Sequence, residues 1–534
     1  MKLIRVLGCA AILLTVIPVR ELKAQAQQPS SGAPRIQVTS ALVFLDVTVL
    51  DKKGHPVVSG LTQDDFTITE DKTAQRIFSF EPPETHVLGP NAADSNPEGK
   101  APVTILVLDL LNSNFDDFAY IRYEVQRFLM SQPAQLASPT ELMVVGNESL
   151  ELLQGYTRSR ADLLYALNHL PATLPYKKMR GAFFWERFAK SIDALQQIAL
   201  QSRGVPGRKN IVWVGRGGPN VFLDPLDFNV KLTDELKQYV HSTTNMLVDA
   251  RISLFVIYPG LPVRGSAVGF SAMEAYSDIG DGDPFAGDIN FGVFVNETGG
   301  GKLFYNRNDV DKEIRTSEQM GAQYYTLTYQ PQNFDANGKF RRIRVTLRDS
   351  NLRAVTKAGY FAPDKNSPNN PLQQRMSKLA EAVQSTIPFN SLNVSLSGVV
   401  HYPDSRSAEF TVELKSKNVI FQPTNDGKST VILTVAAASL NGDRTILASK
   451  MENVTLVATN PDATQLSQVL SRFQLTIRVP RKTQIVRVVM ENQDAGRMGS
   501  ADLDRKTIDA APARGTPTPQ VHRRPPDSVP AATP

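Results

Sequence analysis

The residues best placed to do chemistry stand at the end of one apolar run. Val103–Leu108 is apolar and β-branched, and it stops at Asp109, which opens the turn Asp109-Leu110-Leu111-Asn112-Ser113-Asn114 with Asp116 just beyond. A run of this length bounded by turn residues predicts a strand buried on both faces of a parallel sheet. Open α/β sheets bind ligands at the carboxyl ends of such strands, so Asp109 is expected where a site is built. Whether that site holds a metal ion governs the functional reading.

Other candidates are weaker. Ser277-Asp278-Ile279-Gly280-Asp281-Gly282-Asp283, with Asp288 beyond, is an acidic, glycine-rich loop that offers oxygen ligands to Ca²⁺, but its spacing is not that of an EF-hand. A solvated loop or a partner surface is the favoured reading. Gly215–Gly218 is a lone glycine cluster after a strand, a weak phosphate signal. Phe184, Trp185 and Phe188 sit at the start of an amphipathic stretch and are read as core, with Trp185 at the open end. The six histidines (His55, His86, His169, His241, His401, His522) are scattered with no pair at metal spacing, and neither a Gly-x-Ser-x-Gly elbow nor a P-loop occurs. Cys9 is the single cysteine, which removes disulfides, thiolate catalysis and cysteine zinc sites once the leader is cut.

These residues need elements to position them. A chain of 534 residues is expected to form roughly three domains. Hydrophobic content of 41% and charge of 21% are globular. The formal charge is +5, and without residues 1–24, which hold four bases and one acid, it is +2, no footprint for nucleic acid. Lys2 and Arg5, the apolar core Val6–Val19 and Ala24-Gln25-Ala26 together read as a cleavable export signal over residues 1–26. No later apolar stretch is long enough to span a bilayer, so the mature chain is expected in the periplasm, on the outer surface or outside the cell.

Residues 35–81 alternate with period two and predict short strands, including Val57–Val58; residues 82–102, rich in Pro, Asn and Gly, read as a linker. Residues 103–321 alternate strand-like and helix-like runs, predicting a mainly parallel sheet covered by helices on both faces. Glu151–Gln154 is read as an antiparallel edge. Residues 322–363 return to period two around Tyr325, Leu327 and Tyr329, then Ile343, Val345 and Leu347. They either pair with residues 35–81 around the α/β part or form a separate small module. Residues 371–386 are a connector helix, 390–510 a β-sandwich and 511–534 a proline-rich disordered tail. The fold class is thus multidomain α/β plus all-β, with a central doubly wound sheet.

The strand ending in Asp109, KNIVWVG (Lys209–Gly215), ISLFVIY (Ile252–Tyr258) and ETGGGKLFYN (Glu297–Asn306) resemble the von Willebrand factor type A domain. Val47–Asp71, Tyr324–Leu347 and Lys357–Pro363 further resemble type A-related exported proteins typical of acidobacteria, and the likeness covers residues 35–365. It implies a strand end of the form Asp-x-Ser-x-Ser, with a threonine and an aspartate from later loops, holding Mg²⁺ or a similar ion and leaving one position for a partner's acidic group. Here Asp109 and Ser113 match. Leu111 replaces the first serine and cannot ligate. Arg180-Gly181-Ala182 stands where Gly-Thr is implied, and Arg216, in Gly215-Arg216-Gly217-Gly218, near the implied acid. Arg216 is expected to block the site by pairing with Asp109. Asn112, Asn114 and Asp116 are the substitute oxygen donors.

The favoured expectation is a non-enzymatic exported binding or scaffold protein with a degenerate metal site, no cofactor and a protein partner. The alternative is cation-dependent adhesion to an acidic ligand through Asp109 and Ser113 with Mg²⁺ or Ca²⁺. A hydrolase or transferase would need a histidine converging with a serine or acids in one cleft.

Overall fold

The computed structural model describes residues 42–88, 101–113, 115–170, 183–222, 230–259, 284–285, 288–307, 309–332, 335–363, 371–415, 418–424, 428–458 and 470–515. The chain divides into two units, Met1–Gln196 with Pro206–Ser367, and Gln197–Val205 with Pro368–Pro534.

In the first unit the alternating stretch Val43–Leu50 is strand β1, and its Val43, Leu45, Val47 and Val49 are buried. Strands β2 (Phe66–Glu70), β3 (Thr73–Gln75) and β4 (Ile77–Glu81) follow. Val57–Val58, expected as a strand, is not one: Pro56 makes only an isolated bridge to Leu50, and Val57 donates its N–H to the Val49 carbonyl. Proline has no N–H to extend the ladder. Pro82, expected to open a linker, leads instead into the 3-10 turn Pro83–His86, which buries His86 against Tyr324 with ring centroids 4.2 Å apart.

The α/β part then runs β5 (Val103–Asp109), α1 (Phe115–Met130), β6 (Gln135–Val145), β7 (Leu150–Ser159), α2 (Arg160–Asn168), α3 (Phe183–Ser202), β8 (Lys209–Val214), β9 (Val221–Phe222), α4 (Val230–Asp249), β10 (Ile252–Pro259), β11 (Asp288–Ile289), α5 (Phe291–Thr298), β12 (Leu303–Arg307) and α6 (Val310–Ala322). Six strands form one sheet in the order β12-β10-β8-β5-β6-β7, parallel except for the edge strand β7, which runs antiparallel to β6. Every residue of β5 and β8 is buried, as strands covered on both faces must be. Ile121, Val125, Phe128 and Leu129 of α1, Leu163 and Leu167 of α2, and Val310 and Ile314 of α6 share one core with Leu106, Leu108, Val212 and Val214. The N-terminus of α2 is capped by Ser159 Oγ, which accepts from Asp162 N–H, and that of α5 by Asn290, whose side chain accepts from Val293 N–H. The helix expected from Asp288 therefore starts later, because Asp288–Ile289 pairs with β9.

The chain lays β6 and β7 on one side of β5 and β8, β10 and β12 on the other. The switch point lies between β5 and β8, and the crevice there is bounded by Asp109 and by Gly215–Gly218.

Strands β13 (Tyr325–Tyr329), β14 (Phe340–Leu347), β15 (Arg353–Val355) and β16 (Gly359–Phe361) complete the first unit. They interleave with the N-terminal strands in two sheets, β15-β1-β13-β4 and β16-β14-β2-β3. In the first, Leu45 lies opposite Leu327 and Val47 opposite Tyr325; in the second, Val345 lies opposite Ile68. Their inward residues share one core. On the other face of β1, Asp46 pairs with Arg251 and accepts from the Thr326 hydroxyl.

The second unit holds α7 (Pro371–Gln384), β17 (Asn393–Tyr402), β18 (Ser407–Lys415), β19 (Gln422–Pro423), β20 (Ser429–Leu440), β21 (Ile446–Ala458), β22 (Leu470–Arg478), β23 (Ile485–Asn492), β24 (Arg497–Asp504) and α8 (Arg505–Asp509). A sheet β17-β18-β22 faces a sheet β19-β20-β23-β24, with β21 paired to β20, around Phe410, Val412, Val435, Leu475 and Val488. The expected tail begins later than Ala511: His401 N–H donates to the Pro512 carbonyl and Arg514 N–H to the His401 carbonyl. The export leader, residues 180–182 and the acidic loop 277–283 lie outside the described residues. Among the described residues no helix is long and apolar enough to cross a membrane.

Candidate functional site

Asp109 ends β5 at the switch point and is fully buried. Its carboxylate is met by N–H groups from two directions. From its own turn, Asn112 N–H donates to Oδ1 at 2.9 Å and Asn112 Nδ2 lies 3.2 Å from both oxygens. From β8 and the turn after it, Trp213 Nε1 donates to Oδ2 at 3.1 Å and Gly217 N–H at 2.9 Å. Burial pushes the Asp109 carboxyl up to about 6, against the pull of these donors.

The local sequence explains the arrangement. A Cβ on Gly215 (φ +147°) would lie 2.3 Å from Asp109 Cβ, and one on Gly217 (φ +69°) 2.8 Å from the Phe291 ring. The glycine cluster lets the backbone reach a carboxylate of this chain, which accounts for it without a phosphate. The Trp213 ring packs edge-on to Phe291 at 5.0 Å, fixing the indole N–H toward Asp109. Asn112 is held in turn by Ser191 Oγ at 3.0 Å, itself bonded to the Arg187 carbonyl.

Arg216 does not pair with Asp109, and that expectation is corrected. Its guanidinium lies 3.0 Å from Asp117 Oδ2, on the first turn of α1, and 5.3 Å from the Tyr258 ring centroid. Asp109 is already satisfied by neutral donors, whereas the Asp117 carboxylate is buried and needs a counter-charge. Ser113 Oγ and Asn112 Oδ1 are buried near Asp109 and have no hydrogen-bond partner among the described residues. Asp116 is exposed, and Asn114 lies outside the described residues.

The residues do not fit a hard cation as they stand. A carboxylate has about four lone-pair sites, and four donor nitrogens, making five contacts, already address those of Asp109. An ion would have to displace Trp213 and Gly217, while Leu111, in the position of an expected ligand, is a fully buried apolar side chain. No group of three His, Cys, Asp or Glu at ligating distance occurs among the described residues. Trp213, Asp117 and Ser191 were not singled out from the sequence. The signal for Trp213 was there: an indole N–H in a strand buried on both faces must find an acceptor.

No family model and no curated protein matches the chain. Among solved structures it is similar to proximal thread matrix protein 1 of the mussel byssus (11% identity, TM-score 0.26, 45% of this chain and 50% of that one). It is also similar to the SpRpn10 VWA domain (17%, 0.20, 30% and 75%) and to the human COPII-coat protein Sec24c (10%, 0.24, 55% and 46%). The chain thus spans half of the first of these. The α/β part is a helix-covered, mainly parallel sheet with one antiparallel edge strand, and antiparallel sheets precede and follow it.

Proposed function

We propose that the chain is an exported, non-enzymatic protein-binding or scaffold protein whose type A-like domain engages its partner by shape at the carboxyl edge of the sheet, through a degenerate metal site. The observation that carries this reading is the saturation of Asp109 by Trp213, Gly217 and Asn112. A carboxylate spent on tying β5 to β8 and its turn is a structural hub. Arg216, a third exposed and held by the buried Asp117, then supplies a charged group at the edge. Export rests on the charged, apolar and small-residue pattern of residues 1–26.

The test is capture of partners from the native envelope fraction by the full mature chain, with and without a chelator. Capture that survives the chelator and is lost in Arg216→Glu supports the reading. Capture lost in chelator and restored by Mg²⁺ overturns it.

One observation favours the second reading, cation-dependent adhesion: the unbonded oxygens of Ser113 and Asn112 beside Asp109. A turn that rotated the Asn112 amide away would free acceptors for Mg²⁺ or Ca²⁺. Titration calorimetry decides it, since saturable heat with Mg²⁺, Mn²⁺ or Ca²⁺ that disappears in Asp109→Ala would belong to this reading alone.

A further inference from the structure

Strand β21 is an edge. It pairs with β20 from Ser429–Ala458 to Leu440–Ile446 and has no second partner strand among the described residues. Over thirteen residues, ILASKMENVTLVA, its row of backbone N–H and C=O groups on the side away from β20 meets no strand among the described residues. Its inward face reads Ala448, Lys450, Glu452, Val454, Leu456, with Val454 and Leu456 against the core; a bulge against Ser439–Leu440 takes Ile446 off this face. On its outward face Met451 is 42% and Val457 57% exposed, beside Ile432 of β20 at 40%. Lys450 and Glu452 sit side by side, their charged atoms 2.8 Å apart and both side chains 39% exposed.

An inward charge on an edge strand normally repels foreign strands, because pairing would bury it uncompensated. Here two opposite charges flank one residue, and that makes the strand complementary to itself. In an antiparallel pair of identical strands that keeps inward residues facing inward, the two-fold axis must pass through a residue. An axis at Lys450 or Glu452 sets like charges opposite each other. An axis at Met451 sets Lys450 opposite the second copy's Glu452 and Glu452 opposite its Lys450. The same register places Ala448 against Val454 inside, up to the bulge at Leu447. Outside it places Met451 against Met451 and Ser449 against Asn453.

We propose that β21 is a self-association edge, on which a second copy of this chain docks antiparallel about a two-fold axis at Met451 and continues the sheet across both molecules. The charge pair acts as a register selector: already paired within one chain, it meets opposite charges across a two-fold axis at Met451 and like charges across an axis at either of its own members. The proposal concerns the second unit alone and does not depend on the reading of Asp109.

Sedimentation equilibrium of the full mature chain tests it, with circular-dichroism melts to verify that each variant is folded. The wild type is expected to show a reversible monomer–dimer equilibrium. Glu452→Lys and Lys450→Glu, each alone, set like charges across the axis and weaken self-association at least about tenfold. An equimolar mixture of the two variants recovers it as a mixed dimer, and so does the double exchange Lys450→Glu/Glu452→Lys. A wild-type chain that stays monomeric, whether its edge is bare or kept for another protein's strand, overturns the proposal. So does a dimer that the single variants leave unchanged, or a mixture that fails to recover it.

Discussion

Trp213 and Gly217 meet Asp109 across the switch point, and this small cluster sets what single substitutions do there. In Asp109→Asn one acceptor oxygen becomes an NH₂ aimed at N–H donors. The expected loss is about 1–3 kcal/mol in chemical denaturation, since a buried donor is left without an acceptor. Gly215→Ala combines a left-handed φ with overlap against Asp109 Cβ, and the backbone strain alone costs about 1–3 kcal/mol. Gly155→Ala on β7, with nothing within 4 Å of its Cβ, is the control that should change little. At this scale the sequence revealed that Asp109 ends a buried strand. It did not reveal the partner of Arg216, because choosing between Asp109 and Asp117 requires knowing which carboxylate is already supplied with donors.

Among elements, β1 joins distant parts of the chain. Its period of two was readable from Val43, Leu45, Val47 and Val49, but alternation names no partner, and β1 pairs with β13 almost three hundred residues later. On its other face Asp46 is tied to Arg251, which follows α4. Burial acts to raise the Asp46 carboxyl, yet the Arg251 guanidinium brings it below its usual value. Arg251→Met would leave that carboxylate buried beside Thr326 without its main counter-charge, at an expected cost of about 3 kcal/mol. Asp46→Asn/Arg251→Met should cost less than Arg251→Met alone, because no ion is then stranded. Denaturation midpoints of the two variants decide the order, and equal loss in both would mean that the pair contributes packing rather than charge.

At the scale of the whole molecule, the buried runs of β5, β8 and β10 made the helix-covered parallel sheet legible, because strands hidden on both faces cannot alternate. The membership of Gln197–Val205 was not legible. These residues end α3 yet belong with the second unit, where Gln197 Oε1 accepts from Ser385 Oγ and Thr386 N–H, and no periodicity marks that change. Burying so much of the sheet also traps ionisable groups, and two of them shape the pH profile in opposite directions. Asp109 is raised to about 6 from 3.8, so the native state holds its proton longer than the unfolded chain does. Its stabilising effect is complete below about pH 4 and is lost as pH rises through 6. Lys209, whose Nζ donates to the Gly207 carbonyl, is lowered by burial to about 7 from 10.5. The unfolded chain then binds the extra proton, so stability rises with pH from about 7 toward 10. Together they predict a dip between pH 6 and 7, where many proteins are most stable, with slopes on the order of 1 kcal/mol per pH unit on either side. Asp109→Asn/Lys209→Met removes both groups. The wild-type minus variant difference, followed by denaturation from pH 4 to 10, should first fall and then rise. A flat difference would mean that water or a bound ion reaches these side chains and relieves their burial, and the hub at Asp109 would then have to be read again as an open site.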